Sequence, residues 1–124
     1  MKVTGVDFAT VFVDDYPAAA EFYGEVLGLE RSVEYGKVPA GEFETGTLTL
    51  QVMDANAIGR PFKASGHPIA LHVDDVAAAR SELEAEGVEF LAETIDSGVC
   101  HMALFSDPAG NVLMLHNRYA PRAD

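Results

Sequence analysis

The stretch Val13-Asp14-Asp15-Tyr16-Pro17-Ala18-Ala19 returns sixty residues later as Val73-Asp74-Asp75-Val76-Ala77-Ala78-Ala79. An apolar, strand-like run precedes each copy: Phe8 to Val13 in the first, Ile69 to Val73 in the second. An amphipathic stretch follows each and closes at Gly28-Leu29 and at Gly87-Val88. Solenoids need three or more units to share a core. Two copies describe two similar modules in one compact fold, with boundaries expected at 1–62 and 63–124, and they direct attention to the space between them.

Composition bounds what such a chain does. Its 124 residues suffice for a core without metal or disulfide staples, and the hydrophobic fraction of 48% is that of a globular protein. Cys100 is the only cysteine, so no intrachain disulfide forms and a reducing compartment is expected. No signal peptide opens the sequence and no apolar run reaches membrane-spanning length, which gives a cytoplasmic expectation with no membrane partner. A net charge of −12 with eight Lys and Arg argues against nucleic acid, whose phosphates require cations.

Each module predicts the order β-α-β-β-β. Asp7 to Val13 alternates as a strand, Asp14 or Asp15 caps the following helix, and Pro17 suits its first turn. Ala19, Phe22, Tyr23, Val26 and Leu27 recur at helical spacing and form one apolar stripe that Gly28 ends. Strands are predicted at Glu30 to Tyr35, Glu42 to Glu44 and Thr47 to Met53. The second module repeats this with strand Ile69 to Val73, helix Val76 to Glu86, and strands Glu89 to Ile95, Cys100 to Ser106 and Asn111 to Asn117. Asp107-Pro108-Ala109-Gly110 supplies the last turn, and Asn56 to Gly66 the linker.

The paired βαβββ modules, the Phe22-Tyr23 to Leu27-Gly28-Leu29 segment and the Asp107-Pro108-Ala109-Gly110-Asn111 turn resemble the vicinal oxygen chelate superfamily over essentially the whole chain. That group includes glyoxalase I, extradiol dioxygenases, and fosfomycin- and bleomycin-resistance proteins. The resemblance implies an α+β fold in which the two modules form an incompletely closed eight-stranded, barrel-like sheet with helices outside. One scaffold of this kind carries unrelated chemistries.

Metal-dependent members place four ligands on the first and last strand of each module, facing a curved cleft. The corresponding positions here are Phe8, Thr49, Pro68 and Met114. None is His, Glu or Asp, and Met114 alone is a soft, weak ligand, so the resemblance leads to an expectation of no metal cofactor. His67 lies one residue from the third position, and a one-residue slip would turn the strand's apolar set to the wrong face.

The same alternation lines the cleft with Phe8, Thr10 and Phe12, with Thr47, Thr49 and Gln51, and with Ala70, His72, Val112, Met114 and His116. If Ser106 pairs with Asn111, His101 falls opposite His116, and His72, His101 and His116 converge. Two readings of these histidines stand: partly exposed rim residues, or a hydrogen-bonding and acid/base cluster. A relocated three-His site for Zn or Fe is the alternative that would make the protein a metal-dependent enzyme. Glu42 and Glu44 either charge a solvated edge strand or face the cleft, where with Phe8, Phe12 and Met114 they would suit an aromatic or cationic molecule. Cys100 has His101 beside it in sequence, but strand neighbours point to opposite faces, and the thiol is expected on the helix side.

The leading expectation is a metal-free protein that binds a small hydrophobic or cationic organic molecule through Phe8, Thr10, Phe12, Glu42, Thr49, His72, His101, Met114 and His116. A metal-dependent lyase, isomerase or dioxygenase is the second reading, and a cofactor-free histidine enzyme the third. A symmetric homodimer is expected, with Ala57 to Phe62 and the tail around Tyr119 and Pro121 as contacts.

Overall fold

In the computed structural model, which describes residues 1–122, the repeated aspartates are helix caps. Asp15 accepts the Ala18 amide at 3.2 Å and Asp75 accepts the Ala78 amide at 3.0 Å, each in extended backbone ahead of a helix. The chain runs β1 (Phe8–Val13), α1 (Tyr16–Glu21), β2 (Glu30–Glu34), β3 (Ala40–Glu44), β4 (Thr49–Asp54), β5 (Ile69–His72), α2 (Val76–Ala85), β6 (Ile95–Asp96), β7 (Cys100–Ser106) and β8 (Val112–Arg118). It divides into two units, Met1–Ala64 and Ser65–Asp124. Ala123 and Asp124, the end of the predicted second module, lie outside the described residues. Each unit holds an open four-stranded sheet, ordered β1-β4-β3-β2 in the first and β5-β8-β7-β6 in the second. The α+β class and the two modules are as the sequence implies. Among the described residues no helix is long and apolar enough to cross a membrane.

In the first unit the odd residues of β1 turn toward the helix. Val11 and Val13 are buried with Phe43, Leu50 and Val52, and Tyr23 lies against Phe43 with ring centroids 6.0 Å apart. Burying side chains of this size stabilises by about 1.5–3 kcal/mol each. The predicted helix is α only to Glu21; Phe22–Val26 continues as a π-helical turn, with the Leu27 amide on the Phe22 carbonyl, before Gly28 takes φ 71°. On this side Tyr16 donates to Glu34 at 2.8 Å. Burial, then that bond and the Glu34 charge, push the phenol well above its ordinary range, against the opposing pull of Arg31. Gly41 makes room for it, because a Cβ there would sit 2.2 Å from the Tyr16 hydroxyl.

In the second unit Val76 and Leu83 of α2 are buried with Ala103, Phe105, Leu113 and Leu115. The predicted strand Glu89 to Ile95 does not form. Phe90 makes a single bridge to Phe105, and only Ile95–Asp96 pairs further along. Arg80 explains the difference: it stacks over Phe90 at 4.5 Å and binds the Ala92 carbonyl and the Thr94 hydroxyl, taking a carbonyl a ladder would have used.

The β7–β8 connection is one residue longer than the sequence reading assumed. Asp107, 4% exposed, accepts the Ala109 and Asn111 amides on one oxygen and the Asn111 side-chain amide on the other. Asn111 therefore belongs to the turn, and its own carbonyl oxygen holds the Ser65 amide at 2.8 Å. Ser106 pairs with Val112, not with Asn111.

Asp107→Ala removes three hydrogen bonds, two of them buried, and is expected to lower unfolding free energy by about 2–4 kcal/mol, measured by urea denaturation. Gly41→Ala, which forces a methyl against the Tyr16 hydroxyl, is expected to cost about 1–3 kcal/mol in the same assay.

Candidate ligand-binding faces

The face of the first sheet turned away from its helix carries the predicted residues Phe8, Thr10, Phe12, Thr49 and Glu42. Phe8, Thr10 and Phe12 lie beside Thr49, Gln51 and Met53, which lie opposite Glu44, Glu42 and Ala40. The predicted strand ends at Glu44 and Thr47 leave only Thr45-Gly46 for the turn and would pair Glu44 with Thr47; Glu44 instead pairs with Thr49 across the longer Thr45–Leu48 turn. A shift of two residues preserves the face, so both glutamates join this set.

The polar groups of this face form two connected sets. Thr10 donates to the Gln51 side-chain oxygen at 2.8 Å, Gln51 donates to the Tyr35 hydroxyl at 2.8 Å, and Tyr35 donates to Glu42 at 2.7 Å. Ser32 donates to one oxygen of Glu44, and Thr49 donates to the other at 2.6 Å. The Gln51 bond lowers the Tyr35 phenol pKa, but acceptance by Glu42, burial and the Glu42 charge together raise it above its ordinary value. The hydroxyls of Ser32 and then Thr49 hold the Glu44 carboxyl below its usual range, more than burial raises it. Phe8 is 50% exposed, and the Arg60 guanidinium lies over the Phe12 ring at 5.1 Å.

Tyr35 and Ser32 were not legible as members of this face. Arg31 pairs with Phe43 and Val33 with Glu42, which leaves Ser32 as an extra residue in β2. That bulge reverses the alternation beyond it. Arg31 stays on the helix side, 5.5 Å from the Phe43 ring, while Tyr35 crosses to the helix-free face.

The second sheet's helix-free face carries His72 beside His116, which is opposite Met102, and Ala70 beside Met114, which is opposite Leu104. His72 lies 3.2 Å from Asp74 and is exposed. His101 is not with them. It pairs with Asn117 and points to the helix side, where it lies 3.4 Å from Asp96 and stacks on Tyr119 at 4.7 Å. The three-His cluster of His72, His101 and His116 is therefore corrected by register: the extra turn residue reverses the face of every β7 side chain relative to β8. The same slip puts Cys100, opposite Arg118, on the helix-free face and only partly buried. Asp96 in turn is held below its ordinary range by the Gly98 amide and the Tyr119 hydroxyl, with His101 adding to them.

The four positions that metal-dependent relatives would use do not fit a divalent ion. Phe8 lies beside Thr49, Met114 lies beside Ala70, and Pro68 precedes β5, so the set offers a phenyl ring, a hydroxyl, a thioether and a pyrrolidine. Among the described residues no three His, Cys, Asp or Glu side chains gather where they could share a metal ion.

A family model described as the Glyoxalase/Bleomycin resistance protein/Dioxygenase superfamily matches residues 5–115. The chain belongs to this superfamily. It is 26% identical over 121 residues to the uncharacterized protein YurT of Bacillus subtilis (strain 168), covering 86% of this chain and 93% of YurT. Among solved structures it is similar to TnmS3, an antibiotic binding protein from Streptomyces sp. CB03234, with 26% identity, a TM-score of 0.79, and 95% and 98% of the two chains covered. It is also similar to SMU.1112c, with 31% identity, a TM-score of 0.75, and 94% and 100% covered.

The depressed Glu44 carboxyl has a pH signature. Its contribution to stability is present above the ordinary carboxylate range and is lost as pH falls through the lower folded-state value. Replacing both donors, as Ser32→Ala with Thr49→Val, is expected to return the Glu44 titration toward the ordinary range, read by NMR of the side-chain carboxyl.

Proposed function

We propose that this member of the superfamily is a metal-free binding protein for a small hydrophobic or cationic organic molecule. The observation that carries the reading is the chemistry of the first sheet's helix-free face. Positions where a metal-dependent relative needs nitrogen or carboxylate donors hold Phe8 and Thr49, and around them lie a second aromatic ring and two hydrogen-bonded carboxylates. Aromatic and apolar surface with a few fixed polar groups is what small-molecule sites present. Phe8 and Phe12 would take the ligand's flat or apolar part, and Thr10, Glu42 and Thr49 its polar groups. The other sheet's face, with His72, Met114 and His116, is a second surface of the same kind. The resemblance to TnmS3, an antibiotic binding protein, supports binding in place of catalysis.

The protein acts, in this reading, as a dimer of identical chains. The exposed side chains of Ile58 and Tyr119 support contact surfaces at the 57–62 segment and the tail. Light scattering at tens of micromolar is expected to give twice the chain mass.

Metal analysis of protein purified without a histidine tag is expected to find less than about a tenth of an equivalent of Zn, Ni, Mn or Fe. Near one equivalent would overturn the reading. A thermal-shift screen of aromatic and amine-bearing compounds is expected to find stabilising ligands, since a site-bound compound at 100 Kd adds about 2.7 kcal/mol. Phe8→Ala and Phe12→Ala are expected to weaken such a ligand by about 1–3 kcal/mol each, measured by calorimetry.

A further inference from the structure

The helix-free face of the second sheet has a different donor set from that of the first. Its four strands place no Asp or Glu there. They bring together soft donors instead: Cys100 and Met102, two residues apart on β7, and His116 of β8, opposite Met102. The β7–β8 ladder has its hydrogen bonds at odd residues, as the Asp107 amide on the Asn111 carbonyl and the Tyr119 amide on the Val99 carbonyl show. Met102 with His116, and Cys100 with Arg118, are therefore non-hydrogen-bonded pairs, whose Cα atoms approach to about 4.5 Å with side chains close. Cys100 and His116 are diagonal neighbours, a spacing that long side chains bridge.

Two groups on this face lack partners. Among the described residues no hydrogen bond or ion pair engages the half-buried His116 imidazole, whereas His72 has Asp74 and His101 has Asp96. The Arg118 Nε atom is buried with no acceptor, although Nη2 of the same guanidinium donates to the Pro121 carbonyl at 3.2 Å. A thiolate at Cys100, directly opposite, is the acceptor that Nε lacks.

We propose that Cys100, Met102 and His116 form a site for a soft monovalent metal ion, Cu(I), held by a thiolate, a thioether and an imidazole nitrogen. Soft sulfur donors select such an ion. Zn takes thiolate, imidazole or carboxylate ligands, almost always four in a closed site, and only two of these three donors qualify. A hard cation finds no carboxylate. Binding replaces the Cys100 S–H bond by an S–Cu bond and releases the proton to solvent, with no change of oxidation state. The thiolate cancels the charge of the ion, so the Arg118 guanidinium beside it meets no net cation. None of Phe8, Thr49, Pro68 and Met114, the positions that metal-dependent relatives would use, takes part. A soft monovalent ion also lies outside the set of Zn, Ni, Mn and Fe whose absence the metal-free reading expects.

Cu(I) supplied anaerobically as its ferrozine complex, with ascorbate, reports transfer to the protein by loss of the complex's colour. About one equivalent per chain is expected to transfer, and excess Zn(II) is expected not to compete. Cys100→Ser, Met102→Leu and His116→Gln are each expected to weaken binding by at least about tenfold, the scale reached even by changes that act on a ligand's hydrogen-bond partners. Uptake should release about one proton more from the unaltered chain than from Cys100→Ser. Ag(I), a diamagnetic and redox-inert stand-in, is expected to shift the Met102 methyl and His116 ring signals in NMR while those of Met53 and His67 stay in place. That readout needs no variant, so it stands even if a substitution impairs folding. Transfer that survives Met102→Leu and His116→Gln would reduce the site to an ordinary thiol and overturn the proposal. Ag(I) shifts confined to other residues, or no transfer to the unaltered chain, would overturn it as well. Each of these outcomes leaves the small-molecule reading of the first sheet's face where it stands, because that face shares no residue with this site.

Discussion

The Asp107 carboxylate fixes more of this protein than any other single group. By holding the Ala109 and Asn111 amides and the Asn111 side chain, it makes residues 107–111 a closed turn and hands β8 its first ladder residue at Val112. The pairing of β7 with β8 then follows. His116 stands opposite Met102 and beside His72, and His101 stands on the helix side with Asp96. Because side chains alternate with period two, a turn shorter by one residue would exchange the two faces of β7. The distribution of histidine chemistry in this unit is therefore decided by a carboxylate that touches none of the histidines.

The parts of the architecture written in residue type were legible. Two Asp caps, two glycine helix ends and two alternating strands appear in the sequence as a repeat, and each does in the structure what its chemistry favours. The face of β1 was legible for the same reason: Val11 and Val13 are buried and Phe8 is exposed. What stayed hidden was set by counting. A single inserted residue, Ser32, moves Tyr35 across the first sheet, and a fifth turn residue, Asn111, moves His101 across the second. Neither a bulge nor a turn length has a composition signal strong enough to override regular alternation. The missing strand after α2 was hidden differently, since it depends on where the Arg80 side chain ends.

Superfamily membership and donor chemistry point in different directions at the site, and both are physically coherent. The scaffold supplies strands that carry side chains of regular spacing to one face, whatever those side chains are. Here they are rings, hydroxyls and carboxylates joined side to side. Such a network is ordered before anything docks on it: Gln51 is held from both ends and Glu44 from both oxygens. A molecule docking there would meet side chains whose conformational freedom has already been lost, which lowers the entropic cost of association.

The Asp107 turn also bears on the order in which the chain assembles. It joins residues four apart, whereas the parallel pairing of β1 with β4 joins residues such as Thr10 and Gln51, 41 apart. Loop-closure entropy makes the longer connection costlier by about 2 kcal/mol before any contact repays it. The β7–β8 hairpin, like the β3–β4 hairpin closed across Thr45–Leu48, is thus an element that a collapsing chain reaches early, and the parallel strands that carry Phe8 and His72 arrive late. In pulsed hydrogen exchange during refolding, the amides of Ala109 and Asn111 should be protected ahead of those in β1. The aromatic edge of the first sheet's helix-free face would then be the last part of that sheet to take shape.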